Sequence, residues 1–122
     1  MIRLSSGEVS IMQIIWKKGS ATSFEILDEV KLKDNISEIS VRTLLARLVK
    51  KKAITVSDKN GKTYTYKPLF NRQNYIKMET DWFLTNIYEN DVFLYMKHLV
   101  KEKRLSKEVL LKVLEEMDKM GM

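Results

Sequence analysis

Residues 37–53 read SEISVRTLLARLVKKKA. The spacing predicts one amphipathic helix. Val41, Leu44, Leu45 and Leu48 recur at helical intervals and line an apolar face. At about 100° per residue, Ile39, Thr43, Ala46 and Lys50 fall on the opposite side, with Arg42 and Arg47 on its flanks. That outer side is small, polar and basic, and it carries no acid. The mixture suits a DNA major groove, where Arg pairs with guanine and Thr or Ala touches a thymine methyl. A solvated helix with ordinary basic decoration has the same composition, so the flanking chain has to decide.

Upstream, Thr22-x-x-Glu25 is a capping box. It opens a helix with Phe24, Ile26, Leu27 and Val30 as apolar positions, running to about Lys33. Asp34-Asn35 is turn chemistry, and Ser37 or Ser40 then caps the quoted helix. Further upstream, Ser5-x-x-Glu8 starts a helix over Leu4–Lys18 with Val9, Met12, Ile15 and Trp16 as its buried stripe. Gly19 ends it. Gly19-Ser-Ala-Thr is a short connector or one brief strand. Downstream of Ala53 the period changes from 3.6 to 2. Ile54-Thr-Val56 and Thr63–Tyr66 are β-branched and aromatic, and Asn60-Gly61 between them is a hairpin signal. Helix, helix, basic helix, basic hairpin is the order of a winged helix-turn-helix. The expected fold is mainly α, an α+β winged helix-turn-helix with a small β wing, followed by a helical tail.

Pro68 closes the second wing strand and marks a boundary. Residues 1–70 are then the DNA-binding domain and 71–122 the helical dimerisation domain. Asn71 caps a helix through Tyr75, Met78, Trp82, Phe83 and Ile87, and Glu89-Asn90-Asp91 breaks it. Val92–Val100 is apolar beyond one face, and Ser106 caps a last helix carrying Val109, Leu110, Val113, Leu114, Met117 and Met120. A second copy of the chain is the simplest cover for such faces. The expected dimerisation residues are Trp82, Phe83, Val92, Tyr95, Met96, Leu99, Val109, Leu110, Val113, Leu114 and Met117.

Charge supports a polyanionic partner. The net charge is +6, and residues 1–70 hold 13 Lys/Arg against 7 Asp/Glu, whereas residues 71–122 hold 9 of each. From Arg42 to Lys67, eight basic residues face a single acid, Asp58. Ser40, Arg42, Thr43, Ala46 and Arg47 are therefore the expected base contacts, and Lys50, Lys51, Lys59 and Lys62 the expected contacts to the DNA backbone. No apolar run is long enough to span a membrane, and no secretory signal opens the chain, so a cytoplasmic protein without membrane contact of its own is expected. With one His and no Cys there is no zinc set, and no phosphate loop or nucleophile elbow is present. An enzyme, a metal and a cofactor are not expected.

LSSGEVSIMQIIWKKGSAT at the start, SVRTLLARLVKKKAI in the basic helix and TYTYKPL in the wing resemble the BlaI/MecI penicillinase-repressor family of bacterial winged-helix regulators. The resemblance covers nearly the whole chain. It implies a homodimeric transcriptional repressor on palindromic operators, controlling β-lactam resistance genes through a membrane sensor-transducer protease system. In that branch a cut at an Asn-Phe bond in the tail separates the dimer, and the corresponding bond here is His98-Leu99. A copper-responsive branch uses tail cysteines, and this chain has none. Two other readings fit the residues. One is a winged-helix regulator controlled by a small ligand between the tail helices. The other is a winged-helix module whose basic face meets an acidic protein.

Overall fold

The computed structural model describes residues 2–33, 36–61 and 63–122. The Asp34-Asn35 turn and Lys62 lie outside the described residues. The elements run α1 (Ser6–Lys18), β1 (Ala21–Thr22), α2 (Ser23–Lys33), α3 (Glu38–Lys50), β2 (Ile54–Asn60), β3 (Thr63–Pro68), α4 (Arg72–Asn86), α5 (Val92–Lys101) and α6 (Lys107–Lys119). They form two compact units, residues 1–78 and 79–122.

Local chemistry sets the helix starts. Ser5 and Glu8 close a reciprocal capping box on α1, and Thr22 and Glu25 do the same on α2 at 3.0 and 3.2 Å. Ser37, not Ser40, caps α3: its Oγ accepts from the Ser40 N–H at 3.2 Å. The end of α3 is a Schellman motif. The Ala53 N–H donates to the Leu48 carbonyl and the Lys52 N–H to that of Val49. Lys52 occupies the left-handed position, φ 61°.

In the first unit, β3 is the central strand of an antiparallel sheet ordered β1-β3-β2. The brief connector strand is thus part of the sheet, pairing Ala21 with Tyr66. In the wing, Asn60 pairs with Thr63. The turn accordingly starts at Gly61, whose φ of 63° favours glycine. A register shift between Val56 and Asp58 bends the ribbon. Pro68 is tolerated because it is the last residue of its strand.

The core of this unit is Ile11, Met12, Ile14 and Ile15 of α1, Ile26 and Val30 of α2, Val41, Leu45 and Leu48 of α3, and Ala21, Ala53, Ile54 and Tyr66 around the sheet. Gly7 lets α1 and α3 approach, since a Cβ there would stand 3.1 Å from Leu44. Phe24 departs from expectation. It is 64% exposed, because helical phase turns it away from the side that buries Ile26 and Val30. The unit also runs past the expected boundary at residue 70. Tyr75 in the first turn of α4 is buried, with its ring 5.5 Å from Trp16 and 6.0 Å from Phe70. Trp16 Nε1 donates to the Phe70 carbonyl at 2.9 Å.

In the second unit, α4 ends as expected before Glu89 and Asn90, both of positive φ. Asp91 and Ser106 cap α5 and α6. Phe83, Tyr88 and Tyr95 form an aromatic cluster with centroids 5.0–5.3 Å apart. No residue of this unit is fully buried.

Candidate nucleic-acid interface

The site is the outer side of α3 and the adjoining wing. Burying Val41, Leu45 and Leu48 fixes the helix's rotation, and Ile39, Ser40, Arg42, Thr43, Ala46, Arg47 and Lys50 are all left exposed. The structure thus brings together the five residues expected at bases and one expected at phosphates.

Local contacts prepare several of these side chains. Glu38 Oε1 accepts from Arg42 Nη2 at 2.9 Å, one turn along the helix. Both groups are largely solvated, so this pair stabilises little and its guanidinium is easily surrendered to a stronger acceptor. Thr43 Oγ1 donates to the Ile39 carbonyl at 3.0 Å. Ser40 Oγ accepts from Ser37 Oγ at 2.9 Å. On the wing, Lys59 Nζ stands 5.2 Å from the centroid of the Tyr64 ring, a cation–π contact that holds the ammonium at the ribbon surface. Burial, together with neighbouring Tyr64, pushes the Tyr66 phenol above its ordinary value. A cleft of about 590 Å³ separates α2, α3 and the wing, with Phe24, Leu27, Arg42, Lys59 and Tyr64 in its lining.

Lys51 does a different job from the other lysines. Its Nζ donates to Glu8 Oε1 at 2.7 Å and to the Arg3 carbonyl at 2.9 Å. Glu8 is 1% exposed. Burial alone would push its carboxyl up, but the Lys51 ammonium and the Ser5 backbone and hydroxyl groups outweigh that and hold it below its ordinary 4.5. Lys51 therefore clasps the end of α3 to the start of α1. Sequence reasoning missed the clasp because its partners stand 43 and 48 residues apart. It also passed over Ile39 as a contact residue, although its 79% exposure on the acid-free side is what the helical wheel implies.

In the tail, Val92, Val109, Leu110, Val113, Leu114 and Met117 are exposed. Trp82, Phe83, Tyr95, Met96 and Leu99 are half-buried, with Phe83 and Tyr95 inside the unit's own aromatic cluster. His98 and Leu99 lie within α5, the first exposed and the second half-buried. No helix among the described residues is long and apolar enough to cross a membrane.

Comparison with known proteins places this geometry among DNA-binding regulators. The penicillinase repressor family matches residues 4–119. The penicillinase repressor of Staphylococcus aureus is 33% identical over 117 residues, covering 95% of this chain and 88% of that protein. That of Bacillus licheniformis is 28% identical over 117 residues, covering 93% and 91%. Among solved structures, Bacillus licheniformis BlaI, a monomeric form in complex with the blaP half-operator, superposes with a TM-score of 0.53 at 30% identity. The match covers 62% of this chain and 92% of that one.

Proposed function

The chain belongs to the penicillinase repressor family, whose members are DNA-binding transcriptional repressors and not enzymes, and from that premise we propose a homodimer that represses β-lactam resistance genes from palindromic operators. The observation that carries the proposal is the exposed, acid-free side of α3 beside a lysine-bearing wing, in a chain similar over 62% of its length to a relative solved on a half-operator. Arg42, Thr43, Ala46 and Arg47 meet base edges, with Ser40 at a base or phosphate. Lys50 and Lys59, joined by Lys62, meet the backbone. Lys51, held by Glu8, is left out of that set.

A single winged domain offers few base contacts, each good bidentate pair contributing about 1–3 kcal/mol of discrimination. Two linked domains read two half-sites in one event, so linkage multiplies affinity without any new contact. Separating the tails then releases DNA and leaves α3 untouched. The proposed switch is such a separation, through a cut at His98-Leu99 driven by a membrane sensor protease. That bond lies within α5, so the helix must unwind to enter a protease.

Band shifts against salt, on a palindromic duplex and a scrambled one, test the DNA reading. Arg47→Ala should relax preference for the palindrome; equal losses on both duplexes would remove Arg47 from the bases. Equal binding of both duplexes by the wild type would favour the acidic-protein reading. Intact mass of the protein from β-lactam-induced cells tests the switch: a tail fragment supports cleavage, and an uncut chain that still leaves the promoter points to ligand control.

A further inference from the structure

Three side chains on the outer side of α3 present hydrocarbon where the neighbours present charge. Ile39 is 79% exposed, and among the described residues nothing covers this large aliphatic side chain on the nucleic-acid side. Thr43 stands four residues on, and its hydroxyl proton is committed to the Ile39 carbonyl at 3.0 Å, which leaves the methyl as the group it offers outward. Ala46 follows three residues later and is exposed. These positions share one side of the helix, so a row of methyl groups runs along nearly two turns. Arg42, Arg47 and Lys50 border the row, and Glu38 in the first turn of the same helix is paired to Arg42. An apolar strip set among cations fits a surface that is itself apolar in places and anionic around them. In a major groove the 5-methyl of thymine is the apolar base substituent, and phosphates surround it.

We infer that the row Ile39–Thr43–Ala46 reads thymine methyl groups, so that the preferred half-site carries thymines beneath the first two turns of α3 and Ile39 is a specificity-determining residue. This rests on the operator-binding reading above and adds to it the base that the helix selects. Burying one methyl against hydrocarbon changes affinity by roughly three- to fivefold.

The test uses the full-length protein and the duplex it selects from a randomised pool. Each thymine of that duplex is replaced in turn by deoxyuridine, which removes only the methyl group. Wild type should lose roughly three- to fivefold at two or three clustered positions and nothing elsewhere. Ile39→Ala, at an exposed site where alanine favours helix, should lose about tenfold on the thymine duplex and become indifferent to uracil at one of those positions. Wild type that selects a duplex yet tolerates uracil throughout overturns this inference alone. So does an Ile39→Ala variant that loses as much on uracil as on thymine. Wild type that selects no duplex overturns the operator reading and this inference with it.

Discussion

The two units use the same hydrophobic vocabulary to different ends. In residues 1–78 the apolar side chains of α1, α2 and α3 close over one another, and Ile11, Met12, Ile15, Ile26, Val30, Val41 and Leu48 are wholly out of water. In residues 79–122 the helices are at least as apolar in sequence, yet Phe93 is 76% exposed and Leu111 61%, and no residue is fully buried. Stability requires that apolar area leave water, and a single short layer of helix cannot do this for itself. The first unit carries its own core, whereas the second leaves most of its apolar side chains in water, and the proposed dimer would supply the cover they lack.

The sharpest way to break this contrast is to place a charge on the last helix. Leu114→Asp should convert a dimer to a monomer by sedimentation, and weaken palindrome binding by about 100-fold or more while leaving half-site binding unchanged. A monomeric wild type would end the contrast at once. Next in size is the truncation of a core leucine. Leu48→Ala should cost about 2–5 kcal/mol in a denaturant melt, by an amount independent of protein concentration, whereas the penalty of Leu110→Ala should vary with concentration.

A smaller effect tests the clasp. Lys51→Met leaves the buried Glu8 carboxylate without its cation, and about 1–3 kcal/mol of stability should be lost at neutral pH. The pH dependence has a defined sign. Glu8 is held below its ordinary 4.5, so its contribution is complete above that value and is lost as pH falls through the lowered one. Melts of the wild type between pH 7 and 3 should therefore weaken on the acid side, and Lys51→Met should show a shallower decline. The smallest effect is conformational. Lys52 and Lys103 both occupy left-handed positions after helices, at φ 61° and 58°, each within the same pattern of terminal hydrogen bonds. Either residue replaced by glycine should raise stability by about 0.5–1 kcal/mol, with only the Lys103→Gly gain depending on concentration.

Much of this architecture was legible because it is local. Capping boxes at Ser5 and Thr22, the caps at Asn71 and Ser106, and the Asn60-Gly61 hairpin each depend on residues within four of one another. The outer face of α3 was legible for a related reason, since helical phase alone separates Val41 and Leu48 from Thr43 and Arg47. The boundary at residue 70 moved because Tyr75 packs on Trp16, a contact that no local pattern encodes.

By itself, then, the sequence determined the order of the helices and of the wing strands, several of their caps, and which side of the basic helix is left exposed. Only the tertiary structure decided that Lys51 is tied to the buried Glu8 while Lys50 stays in water, that Phe24 is exposed, and that a two-residue strand joins the sheet beside β3. The reason is physical. Periodicity and caps act over one or two turns, whereas the partner of a buried charge or ring is chosen by whichever distant surface closes over it.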